Sequence, residues 1–404
     1  MKAIKKHVGI DVNYVALLLI LIANVCFYNA EEVIIYRMLT VTGMTMAFAR
    51  NVRCIKLRFK ASSCIVWLVL VYGFILFNGI FRLQAGDFNP LTMIVRLMEA
   101  IALYCIFGAM IRHDVWKIVS AMEWVGILAV TLILFREGVN ILAGGMRIGD
   151  SLSGNSNTVG YNVGLFSLVS MWEYCVKKNK RSLFFFLLFT VLILLTGSKK
   201  ALIILLFDLF LFLWYRRKNA IPWVIAVCLT VVVIYVIFKI PYFYNIIGFR
   251  VENMFRTMFG EQDRRYQSYS TEIREYMIQE GVRIFSKKPI FGGGYNYFYS
   301  MTISGFDYSH CNYVELLCTM GIFGTVIYYS RHAMTFTKLV KSKPNQQMQD
   351  LYVLTLMMIT LILVLDVAAV TFTAQIVWYV PVLFADASVE WMKMEGLEKG
   401  KEKS

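Results

Sequence analysis

Apolar runs of close to twenty residues recur from end to end of this 404-residue chain, and they limit its fold more than any motif does. Each is long enough to cross the roughly 30 Å of hydrocarbon in a bilayer. Backbone inside lipid finds no water, so a crossing segment must close its hydrogen bonds internally, as a helix. With 58% of residues hydrophobic, a soluble globular fold is excluded. The chain reads as an all-α polytopic membrane protein, one integral membrane domain over 1–404. Twelve spans are expected, at about 12–29, 33–49, 62–81, 91–111, 118–135, 158–176, 183–197, 201–215, 220–238, 312–330, 351–369 and 376–391.

The net charge of +15 does not indicate nucleic acid as a partner, because Lys and Arg fall in short clusters between apolar runs. RNVRCIKLRFK, RHDVWK, KKNKR, RRKN, RHAMTFTKLVKSK and the Lys-rich tail alternate with acidic or nearly neutral connections. The positive-inside rule then puts both termini in the cytoplasm. MKAIKKH followed by an apolar run has the form of a signal peptide. Tyr28 spoils a small-residue cleavage site before Ala30, so an uncleaved first helix is expected. The eight cysteines show no CxxC or Cys/His metal spacing. Cys311 and Cys318 would lie about 10 Å apart along a helix, too far to bridge.

Two external segments, 136–157 and 239–311, interrupt the apolar pattern and are expected to form an active-site cap. Within the second, residues 271–288 read as an amphipathic helix, with Ile273, Met277, Gly281 and Ile284 on one face. Arg274 flanks that face and Arg283 lies on the far side, so only one of the two faces a common site. Pro289 is expected to end the helix, and Gly292 to Gly294 to turn the chain.

His310 stands where this polar segment becomes an apolar helix, followed by Asn312 and Glu315. A neutral imidazole there can take a proton from a hydroxyl; the plain alternative is a histidine that caps a helix. Lys199 and Lys200 sit in an external hairpin between two apolar runs, where they would attract anions or snorkel to lipid headgroups. Arg147 occupies the other polar loop, and a guanidinium suits forked bonding to phosphate oxygens. Intramembrane Arg37, Arg96, Glu99, Asp208 and Asp366 should face the bundle interior, with Arg96 and Glu99 paired three residues apart. Asp208 and Asp366 are what a proton-coupled transporter would need. Glu31 and Glu32 could bind a divalent ion, although topology accounts for acids there. No phosphate loop or HExxH is present.

Together these segments resemble the O-antigen ligase and Wzy polymerase superfamily of bacterial surface-polysaccharide assembly. Four pieces match in order: the loop RIGDSLSGNSN; the hairpin TGSKKAL; an arginine fifteen residues before a proline–glycine turn, Arg274 to Pro289 and then FGGGYNYF; and the helix start SHCNYVELLCTMGIFG. The resemblance implies a GT-C-like fold and transfer of a glycan from an undecaprenyl diphosphate carrier to an acceptor hydroxyl. By the same resemblance the transfer would take place outside the cytoplasmic membrane, without nucleotide, metal or other cofactor. His310 would be the general base, and catalytic Arg274, with the hairpin position Lys199, would bind the diphosphate leaving group. Lys199, Lys200, Arg147, Asn312, Glu315, Gly294 and Arg283 would bind the diphosphate and glycan. Lys199 stands where the family usually has arginine, and Cys311 separates His310 from Asn312. The expected function is polymerisation of lipid-linked repeat units for a capsule, exopolysaccharide or O-antigen, with a flippase and a chain-length regulator as partners. Transfer to a lipid or wall acceptor by a ligase is the near alternative, and a lipid-linked sugar flippase or a non-catalytic scaffold the distant ones.

Overall fold

The computed structural model describes residues 11–29, 31–59, 63–81, 89–143, 147–153, 155–218, 220–258, 269–342, 344, 348–372 and 380–401. Every described element is helical. A helix overlies each of the twelve expected spans: Val12–Cys26, Val33–Phe59, Ser63–Phe81, Pro90–His113, Trp116–Ala143, Ser156–Lys177, Lys180–Thr196, Lys199–Arg216, Ala220–Lys239, Asn312–Lys341, Gln349–Leu365 and Val380–Lys401.

The helices begin where the sequence supplies caps. Asp11 accepts from the amides of Asn13 and Tyr14, Asn89 from Leu91 and Thr92, and Asn179 from Arg181. Ser156–Lys177 packs against Lys180–Thr196 and Lys199–Arg216, and Val12–Cys26 packs against Val33–Phe59 and Trp116–Ala143. Their inward faces form one apolar core that includes Trp172, Phe166, Phe189 and Phe107, while Ile34, Met38, Phe135, Leu187 and Val224 remain exposed on outward faces. Large apolar side chains left outside a well-packed core are what a lipid-facing surface requires.

Four helices, at Ser63–Ile80, Pro90–His113, Trp116–Gly138 and Asn312–Lys341, are individually long and apolar enough to cross a membrane. A fifth crossing is the pair Thr230–Lys239 and Pro241–Asn253, if its 83° bend belongs to one broken span. The chain is thus a multi-pass membrane protein, but twelve helices are not twelve demonstrated spans. Val12–Cys26 and Gln349–Leu365 are apolar but short. Ser156–Lys177 carries Asn162, Ser167, Ser170 and Glu173 buried against its neighbours, which lowers its hydropathy while protein rather than lipid surrounds it.

One detail corrects the expected local structure and another extends it. The amphipathic helix runs Tyr269–Phe285 and stops short of Pro289, because residues 286–288 close turns onto Val282, Ile284 and Phe285. Arg96 and Glu99 also engage other groups: Arg96 donates to the Tyr28 hydroxyl at 3.1 Å and Glu99 accepts from Asn24 Nδ2 at 2.6 Å, while the Arg96 charge still acts on Glu99.

The glycine run serves a break in the longest helix. Asn312–Lys341 is interrupted at Gly321, with φ 64° and ψ −170°. The amides of Ile322 and Phe323 donate to the Pro289 and Ile290 carbonyls at 2.8 and 3.1 Å. In return, the amides of Gly293 and Gly294 donate to the Cys318 and Thr319 carbonyls at 2.9 and 3.0 Å. Backbone groups freed by the break are therefore satisfied by the loop. A Cβ on Gly321 would stand 2.4 Å from the Ile290 carbonyl oxygen, and one on Gly292 2.4 Å from that of Thr319.

Candidate active site

Three helices begin at one place. Asn155, Asn157 and Thr158 at the start of Ser156–Lys177, Lys200 at the start of Lys199–Arg216, and His310 just ahead of Asn312–Lys341 line a cavity of about 280 Å³. Tyr161, Tyr295, Asn296, Asp307, Tyr308, Glu315 and Phe372 complete much of its wall. Helix N-termini carry partial positive charge, so their convergence favours an anion before any side chain is counted.

His310 is held in a left-handed backbone conformation, φ 59°. That geometry is uncommon for a side chain with a Cβ and needs support from its surroundings. Support comes from both neighbours. The Ser309 amide donates to buried Glu315 at 2.7 Å, and the Ser309 hydroxyl donates to the Cys311 carbonyl at 2.9 Å. The Tyr308 ring meets the imidazole edge-on, with centroids 4.3 Å apart. Burial, with help from Lys200 and then Arg274, pushes the His310 pKa down to about 3. The imidazole is therefore neutral at physiological pH, with a lone pair free of a proton.

The cations around it come from four separate segments. Arg147 Nε donates to the Thr196 carbonyl at 2.7 Å and Nη2 to Asn157 Oδ1 at 2.9 Å, tying its loop to the hairpin. The hairpin turns on Gly197, φ 60°, where a Cβ would stand 2.8 Å from the Ile246 carbonyl oxygen. Ser198 then caps the next helix and launches Lys199 and Lys200. Lys200 is buried, with its ammonium 5.9 Å from the centre of the Tyr161 ring. Arg274, on Tyr269–Phe285, lies within electrostatic reach of Arg147, Lys199, Lys200 and His310. Arg250 acts on Arg147 and Lys199.

Burial combined with mutual repulsion depresses these charges. Lys200 falls to about 7, through burial and then Arg274. Lys199 falls to about 8 through burial, Arg274 and Arg250, and Arg147 to about 10 through burial and Arg250. The arrangement is strained electrostatically and would be relieved by a polyvalent anion.

Other residues singled out in the sequence take different places. Arg283 is exposed and pairs with Glu280 at 3.1 Å. Asn312 is buried and fully engaged: its amide group donates to Tyr329 and Asp366, and its carbonyl oxygen accepts from Thr371 and Phe372 amides. Gly294, φ 101°, belongs to the loop around the helix break. Asp208 accepts from Ser167 at 2.7 Å, and Asp366 from Asn312, Tyr329 and Thr371. Glu32 is paired with Arg136 at 2.6 Å.

Tyr161, Tyr308 and Arg250 were not distinguished by sequence. Arg250 was one of nine basic residues in a long segment, and only the fold brings it beside the hairpin and Arg274.

Residues 184–329 match the family described as O-Antigen ligase (Wzy_C). The matched stretch contains Lys199, Lys200, Arg250, Arg274, His310 and Glu315, and leaves Arg147 outside it. No curated protein matches the chain.

Proposed function

We propose that this member of the O-antigen ligase and Wzy superfamily polymerises oligosaccharide repeat units carried on undecaprenyl diphosphate, at the outer face of the cytoplasmic membrane. The observation that supports the reading best is a neutral, strained histidine sharing a cavity with Lys200, with Arg274 within electrostatic reach of both. The described parts of segments 136–157 and 239–311 supply Arg147, Arg250, Arg274 and His310, the residues of a cap on the outer face.

In the reaction, the acceptor hydroxyl oxygen attacks the anomeric carbon and its proton passes to the His310 imidazole. The bond from that carbon to the diphosphate oxygen breaks, and undecaprenyl diphosphate leaves with the electron pair. Arg274, Lys200, Lys199 and Arg147 hold the charge that develops on it. An in-line attack inverts the anomeric centre. Donor binding also prepares the base. The cations that lower the His310 pKa are neutralised by the diphosphate, so the imidazole becomes more basic once the donor is in place. Glu315 and Asn312 brace the histidine turn and the helix start; Arg283 stands apart from the cavity.

The test uses purified protein with a defined lipid-linked repeat unit. The expected product is a polymer still attached to undecaprenyl diphosphate, with each new linkage inverted relative to the donor. A linkage of retained configuration would overturn the in-line mechanism. Transfer only to a lipid A core or wall acceptor, with no self-polymerisation, would identify a ligase.

A further inference from the structure

A second and larger cavity, about 660 Å³, lies between the starts of Val33–Phe59 and Pro90–His113. Most of its wall is apolar, including Val33, Val41, Leu91 and Val95, yet Arg37 and Arg96 both line it, together with the Tyr28 and Tyr36 rings. Arg96 is anchored on the Tyr28 hydroxyl. Arg37 is on the outward face of its helix among exposed Ile34, Met38 and Val41, and has no hydrogen-bond or ion-pair partner among the described residues. An arginine on a lipid-facing surface is costly unless it meets a headgroup or phosphate.

Tyr295 connects this cavity electrostatically to the histidine cavity. Tyr295 lines the latter and lies within electrostatic reach of both Arg96 and Tyr28. A lipid whose phosphate sits at Arg37 and Arg96, with its chain along the apolar wall, could therefore present its headgroup toward His310. The two cavities differ in character: one is polar, with Lys200 and His310 in its wall, the other mostly apolar with Arg37 and Arg96 in its wall.

We propose that the lateral cavity binds the phosphate-headed lipid of the acceptor while the histidine cavity takes the donor diphosphate, so that the chain holds two lipid-linked substrates at once. The inference rests on the polymerase reading, in which the acceptor is itself lipid-linked. It assigns Arg37 and Arg96 to the acceptor phosphate, and Arg274 and Lys200 to the donor. An anionic phospholipid headgroup offers related chemistry, and the experiment separates the two sources.

The full chain is placed in phosphatidylcholine nanodiscs and titrated with undecaprenyl diphosphate, counting bound lipid by native mass spectrometry. Two molecules per chain are expected. Arg37→Ala should weaken only one site, by about tenfold, the worth of one charge-assisted hydrogen bond. Val41→Trp, at an exposed helix position that plugs the cavity, should do the same without removing a charge. Arg274→Ala should weaken only the other site. A single site abolished by Arg274→Ala and indifferent to both Arg37→Ala and Val41→Trp overturns the inference. So does displacement from the Arg37 site by an equal concentration of phosphatidylglycerol, which would make it an ordinary headgroup site. Loss at Arg37 and Val41 with no effect of Arg274→Ala would support the lateral site and instead remove the donor assignment.

Discussion

The backbone N–H of Ser309 donates to Oε2 of Glu315 at 2.7 Å, and this bond fixes the turn that carries His310. Glu315 lines the cavity but its action is on the turn, so it is a positioning residue. Glu315→Ala should lower the polymerisation rate by about 10- to 100-fold, the range expected when a buried hydrogen-bond donor is left without its partner. Glu315→Gln, which keeps an accepting oxygen, should recover much of that loss. Equal loss in both variants would mean that the carboxylate acts directly. The readout is initial rate at saturating lipid-linked repeat.

His310 needs a replacement that tolerates a positive φ. Asparagine visits the left-handed region more readily than most residues, so His310→Asn should fold normally. Its rate should fall by roughly 10²- to 10⁴-fold, the usual contribution of a general base. Thermal stability in detergent, measured alongside, should remain at the wild-type value.

The lysines set a pH dependence of anion binding. Lys200 titrates at about 7 and Lys199 at about 8 in the empty site, both below the ordinary 10.5. Below those values they are charged and the site attracts a diphosphate; as pH rises through them the charge and the attraction are lost. Inorganic diphosphate should therefore bind more weakly as pH rises from about 6 to about 9, with proton uptake on binding near the upper end. His310, with its pKa at about 3, stays neutral throughout and adds nothing to the free-site profile. Calorimetry in two buffers of different ionisation enthalpy measures the uptake. Binding indifferent to pH over this range would contradict the assignment.

Gly321 should resist substitution for geometric reasons. Its φ is 64° and an added Cβ would lie 2.4 Å from the Ile290 carbonyl oxygen. Gly321→Ala is expected to destabilise the fold by at least about 2 kcal/mol, through backbone strain and displacement of the glycine loop. Gly305, also at positive φ but with open space around it, should lose less on the same change. Thermal unfolding of the two variants in one detergent makes the comparison.

Much of this architecture is legible in the sequence because burial in lipid and in a helix bundle both demand long apolar runs. Ser198 and Gly197 mark a hairpin by their local chemistry, and the structure has it there. The number of crossings is a different quantity. A helix such as Ser156–Lys177 has neighbours that hide its polar groups, which hydropathy cannot register. Long-range pairing was equally hidden: Arg96 acts on Glu99 as the spacing suggests, but it also donates to Tyr28, 68 residues away. Arg250 and Tyr161 join the candidate site only through tertiary contact, and the role of Gly292 depends on a helix break at Gly321 that no local propensity announces.

The most direct test of the central claim is the length of lipid-linked glycan in cells lacking the native protein and supplied with wild type, His310→Asn or Arg274→Ala at equal membrane abundance. The account predicts long polymer with wild type and single lipid-linked repeats on the outer face with either variant. Normal polymer in both variants, or repeats trapped on the cytoplasmic face, would contradict it.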